Sequence, residues 1–178
     1  AGGNSVCSAA CRVLVTGEAI PGRGGCGGNL NTYQFNGNLA SSTGGLDLVP
    51  MVGPPLAEAD PPAVTFEAAQ INGEPAQVAR YSRGTFLRMY TGLNPNGGGV
   101  YTNQFTLIMD VLFEPGAIDE SGWAALFQTN EANANDGDWF VRGSDRGVGI
   151  DGNYGGLVDD GVWHRLALVV DLVAGTFT

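Results

Sequence analysis

The stretch Gln104-Phe-Thr-Leu-Ile-Met-Asp-Val-Leu-Phe113 decides the fold. Read with period two, Phe105, Leu107, Met109, Val111 and Phe113 fall on one face. Thr106, Ile108, Asp110 and Leu112 fall on the other. Successive side chains of a strand point to opposite sides, so this segment is a strand with one wholly apolar face and one mixed face. A sheet with one side on a core needs that asymmetry.

The same grammar extends in both directions. Trp123–Thr129 reads as a strand, and so does Trp163–Leu172, with Leu166, Leu168, Val170 and Leu172 facing one way. Earlier come Val13-Leu14-Val15, a short aromatic strand around Tyr33 and Phe35, and Leu46-Asp47-Leu48-Val49. Turn signals separate the later segments at Asn94-Pro95-Asn96-Gly97, Asn135-Asp136-Gly137 and Asp151-Gly152-Asn153. Pro54, Pro55, Pro61 and Pro62 exclude a central strand and mark a surface connection. Many short strands joined by turns predict an all-β sandwich or barrel, with helix confined to a turn or two. No repeat of solenoid or propeller length is present.

Composition agrees. The 178 residues are 43% apolar and include 29 Gly and 9 Pro without a collagen period. Asp and Glu number 18 against 8 basic residues, all of them Arg, for a net charge of −10. An acidic surface repels phosphate backbones and anionic lipids, so nucleic acid is excluded as a partner. The absence of Lys removes Schiff-base and P-loop chemistry. No apolar run is long enough for membrane insertion as a helix. The start at Ala1, without Met, is what signal cleavage leaves, and together with the cysteines it predicts a secreted or cell-surface protein.

All three cysteines, Cys7, Cys11 and Cys26, lie in a Gly-rich leader over residues 1–30, ahead of a domain over residues 31–178. Three thiols lack the fourth ligand of a zinc site, and the only histidine, His164, is far away in sequence. A local disulfide is expected, its pairing open, with the odd thiol free or bonded to another chain.

From Trp123 the sequence resembles a family. Trp123–Thr129, Asn135-Asp-Gly-Asp-Trp-Phe140, Gly147-Val-Gly-Ile-Asp-Gly152, and Gly161-Val-Trp-His-Arg165 leading into Leu166–Asp171 are similar to bacterial laminin-G-like domains of the concanavalin-A-like superfamily. Tyr33-Gln-Phe35 through Leu39 resembles the family's first strand, and Gln104–Phe113 its long central strand. The resemblance covers residues 31–178 and implies a jelly-roll β-sandwich of two antiparallel sheets. It departs at Gly175-Thr-Phe-Thr178, where the family's returning strand only begins. The expectation is therefore an incomplete sandwich, continued by further chain or completed by a neighbour's strand.

Catalytic sets are scarce. The superfamily's glycosidases carry E-x-D-x-x-E on one strand, and this chain has no such run. Glu58-Ala-Asp60 meets two prolines, while Asp119-Glu120 and Asp159-Asp160 are adjacent pairs whose members would point apart. Gly22-Arg-Gly-Gly-Cys-Gly27 satisfies G-x-G-x-x-G but precedes no helix. His164 is expected to pack and hydrogen-bond. The candidate metal site is Asn133, Asn135, Asp136 and Asp138, oxygen donors around a Gly that suit calcium, although their register is not that of an EF-hand. The competing reading is an Asn/Asp turn. Tyr90, Tyr101, Trp139 and Tyr154 are candidate sugar platforms, and Trp123 and Trp163 are expected in the core.

The leading functional expectation is a non-enzymatic adhesion or assembly module whose partners are other protein chains, including copies of itself. The alternative is a carbohydrate-binding module of a secreted multidomain protein, with glycans as partners. A glycoside hydrolase is the weaker third.

Overall fold

The computed structural model describes residues 11–16, 31–52, 64–81, 84–130 and 138–178. In chain order the strands are β1 (Cys11–Thr16), β2 (Asn31–Thr32), β3 (Val49–Val52), β4 (Val64–Ile71), β5 (Glu74–Tyr81), β6 (Thr85–Arg88) and β7 (Gln104–Val111). There follow β8 (Trp123–Phe127), β9 (Trp139–Arg142), β10 (Val148–Ile150), β11 (Asn153–Gly155), β12 (His164–Asp171) and β13 (Thr176–Phe177). Among the described residues there is no helix, and the chain is all-β.

The strands form antiparallel sheets. The largest has the order β13-β12-β7-β1-β5-β4, with β2 paired to β1. A second has the order β11-β10-β9-β8, and β3 pairs with β6 in a third. At the centre of the first sheet, β7 meets β12 along its whole length, from Gln104 opposite Asp171 to Val111 opposite His164. Its other flank meets β1, from Thr16 opposite Thr106 to Cys11 opposite Val111. The backbone of Val13-Leu14-Val15 therefore lies inside the sheet, and it is a strand as its composition predicts. The β4–β5 hairpin turns through Asn72 and Gly73, both at positive φ (52° and 83°), the backbone that a two-residue hairpin loop requires.

Alternation on β7 and β12 is realised. Leu107, Met109, Val111 and Phe113 are buried together with Leu168 and Val170. They share one apolar cluster with Ala124 of β8, Trp139 and Val141 of β9, and the loop residues Ile118 and Val158. The first and second sheets thus contribute to a common core. A second cluster, Tyr33, Phe35, Leu48 and Ala79, takes in Leu87 of β6 and so ties the two-stranded sheet to β5. Tyr33 is fully buried, and its hydroxyl donates to the Leu46 carbonyl at 2.9 Å, satisfying the polar end of the ring.

On the opposite face of β7 the Asp110 carboxylate is 5% exposed. Arg165, directly across on β12, donates Nε to Oδ1 at 2.7 Å and Nη2 to Oδ2 at 2.8 Å. The fork offsets the cost of burying the carboxylate.

The core assignment makes a contrast testable by urea unfolding. Phe113→Ala, at a fully buried ring, is expected to cost about 3–5 kcal/mol. Val169→Ala, on the outward face of β12, is expected to stay within about 0.5 kcal/mol of the parent.

Candidate functional site

The site lies on the face of the second sheet turned away from the core. Ala124 of β8 and Trp139 and Val141 of β9 point inward, so Trp123, Phe140 and Arg142 point the other way. Phe140 is opposite Gly149 of β10, which is opposite Tyr154 of β11. The β10–β11 hairpin turns at Asp151 and Gly152, both at positive φ (44° and 85°). Position 149 has no room for a side chain: a Cβ there would lie 1.8 Å from the Asn153 carbonyl oxygen. A bare backbone at Gly149 therefore lets β11 close in and brings Tyr154 towards Trp123.

Trp123, Asp138, Phe140, Ile150, Asp151, Gly152 and Tyr154 line a hollow of about 240 Å³. Its aromatic wall is continuous. Trp123 meets Tyr154 at a centroid distance of 5.0 Å and Phe140 nearly edge-on at 6.1 Å. Arg142 lies over the Tyr154 ring, its guanidinium carbon 4.7 Å from the centroid. Arg142 is itself held by Asp145, through Nε to Oδ1 at 2.9 Å and a second contact from Nη2 to Oδ2. Asp145 Oδ1 also accepts from the Gly147 amide at 3.1 Å. These bonds keep the Asp145 carboxyl at about 2, well below its ordinary 3.8, with the Arg142 hydrogen bond as the largest cause. Burial raises the Tyr154 phenol above 10.0; Arg142 opposes the shift, and Asp151 and Asp138 add to it.

The residues singled out from sequence meet different ends. Asp138 is buried at the hollow, whereas Asn133, Asn135 and Asp136, the other members of the calcium set, lie outside the described residues. Among the described residues no group of three His, Cys, Asp or Glu side chains is placed to hold a metal. Cys7 and Cys26 lie outside the described residues, as do Glu58, Asp60 and the proline loop. Cys11 opens β1. His164 Nε2 accepts from the Asp159 amide at 3.0 Å, a local structural bond. Asp160 Oδ2 accepts from Arg146 at 3.0 Å and from the Gly116 amide at 3.2 Å.

Two tryptophans exchange roles relative to the sequence reading. Trp139, a candidate platform, is 4% exposed and belongs to the core. Trp123, expected in the core, faces the hollow. Trp139 alternates with the outward Phe140 on β9, and the β8–β9 ladder slips beside it: Ala125 opposes Phe140, but Phe127 opposes Trp139. The extra residue on β8 turns Phe127 to the core while leaving Trp123 and Ala125 outside. Phe140 and Ile150 were not singled out, although Arg142, two residues from Phe140, marks the outward phase of β9. Tyr90 and Tyr101 are exposed, and neither lines the hollow. Tyr154 alone of the four platforms lines it.

No protein-family model matches the chain, and comparisons with curated proteins and with solved structures find no match either.

The Asp145 bonds set a pH dependence. Because its folded pKa is depressed, its contribution is fully present above 3.8 and is lost as pH falls through about 2. The melting temperature of the parent is expected to exceed that of Asp145→Asn at pH 5, with the gap closing as pH drops towards 2.

Proposed function

We propose that this chain is a non-enzymatic extracellular binding module that takes a glycan in the aromatic hollow of its second sheet. The observation that carries the reading is the grouping of Trp123, Phe140 and Tyr154 in one wall with carboxylates beside it. Sugar rings present apolar C–H faces that pack on aromatic rings, while their hydroxyls donate to carboxylates. The fold we propose is the laminin-G-like jelly roll. The apolar cluster shared by the first and second sheets supports a stacked pair of sheets. A module of this kind would act outside the cell, alone or attached to a larger secreted protein.

Assembly with other protein chains, including copies of this one, is a second reading. It is favoured by the exposed apolar side chains Val169, Leu172, Val173 and Phe177 along β12, β13 and the turn between them. Sedimentation beside a non-reducing gel separates apolar association from inter-chain cysteine bonds.

The glycan reading is tested by affinity electrophoresis through a panel of polysaccharides. Retention on at least one is expected, with Trp123→Ala weakening it by roughly tenfold or more. Uniform migration through the whole panel would dispose of the reading. Release of reducing ends from a retained glycan, abolished by Asp138→Asn, would make the protein a hydrolase instead.

A further inference from the structure

We infer that the hollow recognises a protonated amine, so that the glycan it takes is built from amino sugars whose nitrogen is free. The inference rests on the hollow being the glycan site, and it adds the charge of the ligand.

The argument begins with what lines the cavity. Three side chains are aromatic, one is aliphatic, two are carboxylates and none is cationic. Aromatic faces carry negative quadrupole potential, and carboxylates carry full negative charge, so both surfaces favour a cation. Asp138 is already buried. A neutral sugar seated over it replaces water with hydroxyl hydrogen bonds but brings no charge. An ammonium group brings both donors and charge. A uronic acid or sulfated sugar would meet repulsion from both aspartates.

The wall has a cation partner within the molecule. The guanidinium of Arg142 rests on the Tyr154 ring, so this aromatic system already takes part in a cation–π contact. Arg142 does not line the hollow, and Asp145 holds its guanidinium through two contacts. Its charge is thus paired with Asp145, which does not line the cavity. The volume of about 240 Å³ falls below the roughly 300–1,000 Å³ of drug-sized sites. One sugar unit fits, with its neighbours in the chain outside. The net charge of −10 draws cationic glycans to the whole surface, so the test must separate this field from the site.

The experiment titrates the full chain by calorimetry with three disaccharides: β-1,4-linked glucosamine, its di-N-acetylated form and cellobiose. They share a backbone and differ in charge. The free-amine form is expected to bind roughly tenfold tighter than either neutral one. Trp123→Ala and Asp151→Asn should each weaken it several-fold. Asp151→Asn should leave the melting temperature unchanged, because Asn tolerates the positive φ at this turn. Equal or tighter binding of a neutral disaccharide would overturn the amine reading while leaving the hollow as a glycan site. Amine binding that ignores both substitutions would place the attraction on the acidic surface at large and would overturn it too. No binding of any of the three would overturn the amine reading, and the polysaccharide panel then decides whether the hollow is a glycan site.

Discussion

Strand β7 is hydrogen-bonded on both flanks, by β12 and by β1, and this constraint governs the described structure. A strand held on both sides can place its side chains only above or below the sheet. Above, Leu107, Met109 and Val111 enter the shared core, and Phe113 follows just beyond the strand. Below, Asp110 is buried against the guanidinium fork of Arg165. The register of β7 against β12 is therefore fixed twice. A slip of one residue would turn the apolar row to water, and it would also part a buried carboxylate from its cation.

That core determines what the second sheet shows to solvent. Trp139 and Val141 fill space against the β7 row, and their burial commits Phe140 and Arg142 to the other side. Ala124 does the same for Trp123. The hollow is thus built largely by the residues that packing sends outward, with Ile150 both lining it and packing against the core. Its chemistry is coupled to stability for this reason: substitutions that loosen Trp139 would also move the strand that carries Phe140.

How far the sequence is legible follows from the same alternation. Gln104–Phe113 and Leu166–Leu172 keep an unbroken period of two, and their inward residues could be read directly, save that Leu172, just past β12, is exposed. The run Val13-Leu14-Val15 was readable as a strand, but its partner β7 was not, because that pairing, from Cys11 opposite Val111 to Thr16 opposite Thr106, joins residues far apart in sequence and leaves no local signal. On β8 the period fails. An apolar run, Trp123-Ala-Ala-Leu-Phe127, offers the same pattern to either face, and one extra residue changes the phase midway. The core position of Phe127 then suggests the wrong side for Trp123. Gly149 was equally silent, since its reason lies in the approach of the Asn153 carbonyl, a contact made only once the hairpin has closed. Tyr154 was found as a candidate, but Phe140, set between Trp139 and Val141 in an unbroken apolar run, carries no mark of its outward face.

The hollow is held ready before any ligand arrives. Asp151 is placed by a tight turn whose two central residues both have positive φ, a backbone that leaves little freedom. Tyr154 is placed by the close approach over Gly149, and Arg142 is fixed over that ring by Asp145. Rings set on paired strands lose little conformational entropy on binding, whereas long side chains on loops must be ordered. Affinity in such a site is then decided less by ordering than by desolvation, above all of Asp138, which is already largely shielded from water. A ligand that brings compensating charge gains where a neutral one of equal shape loses. On the function proposed above, the same wall would then discriminate between two sugars that differ only at nitrogen.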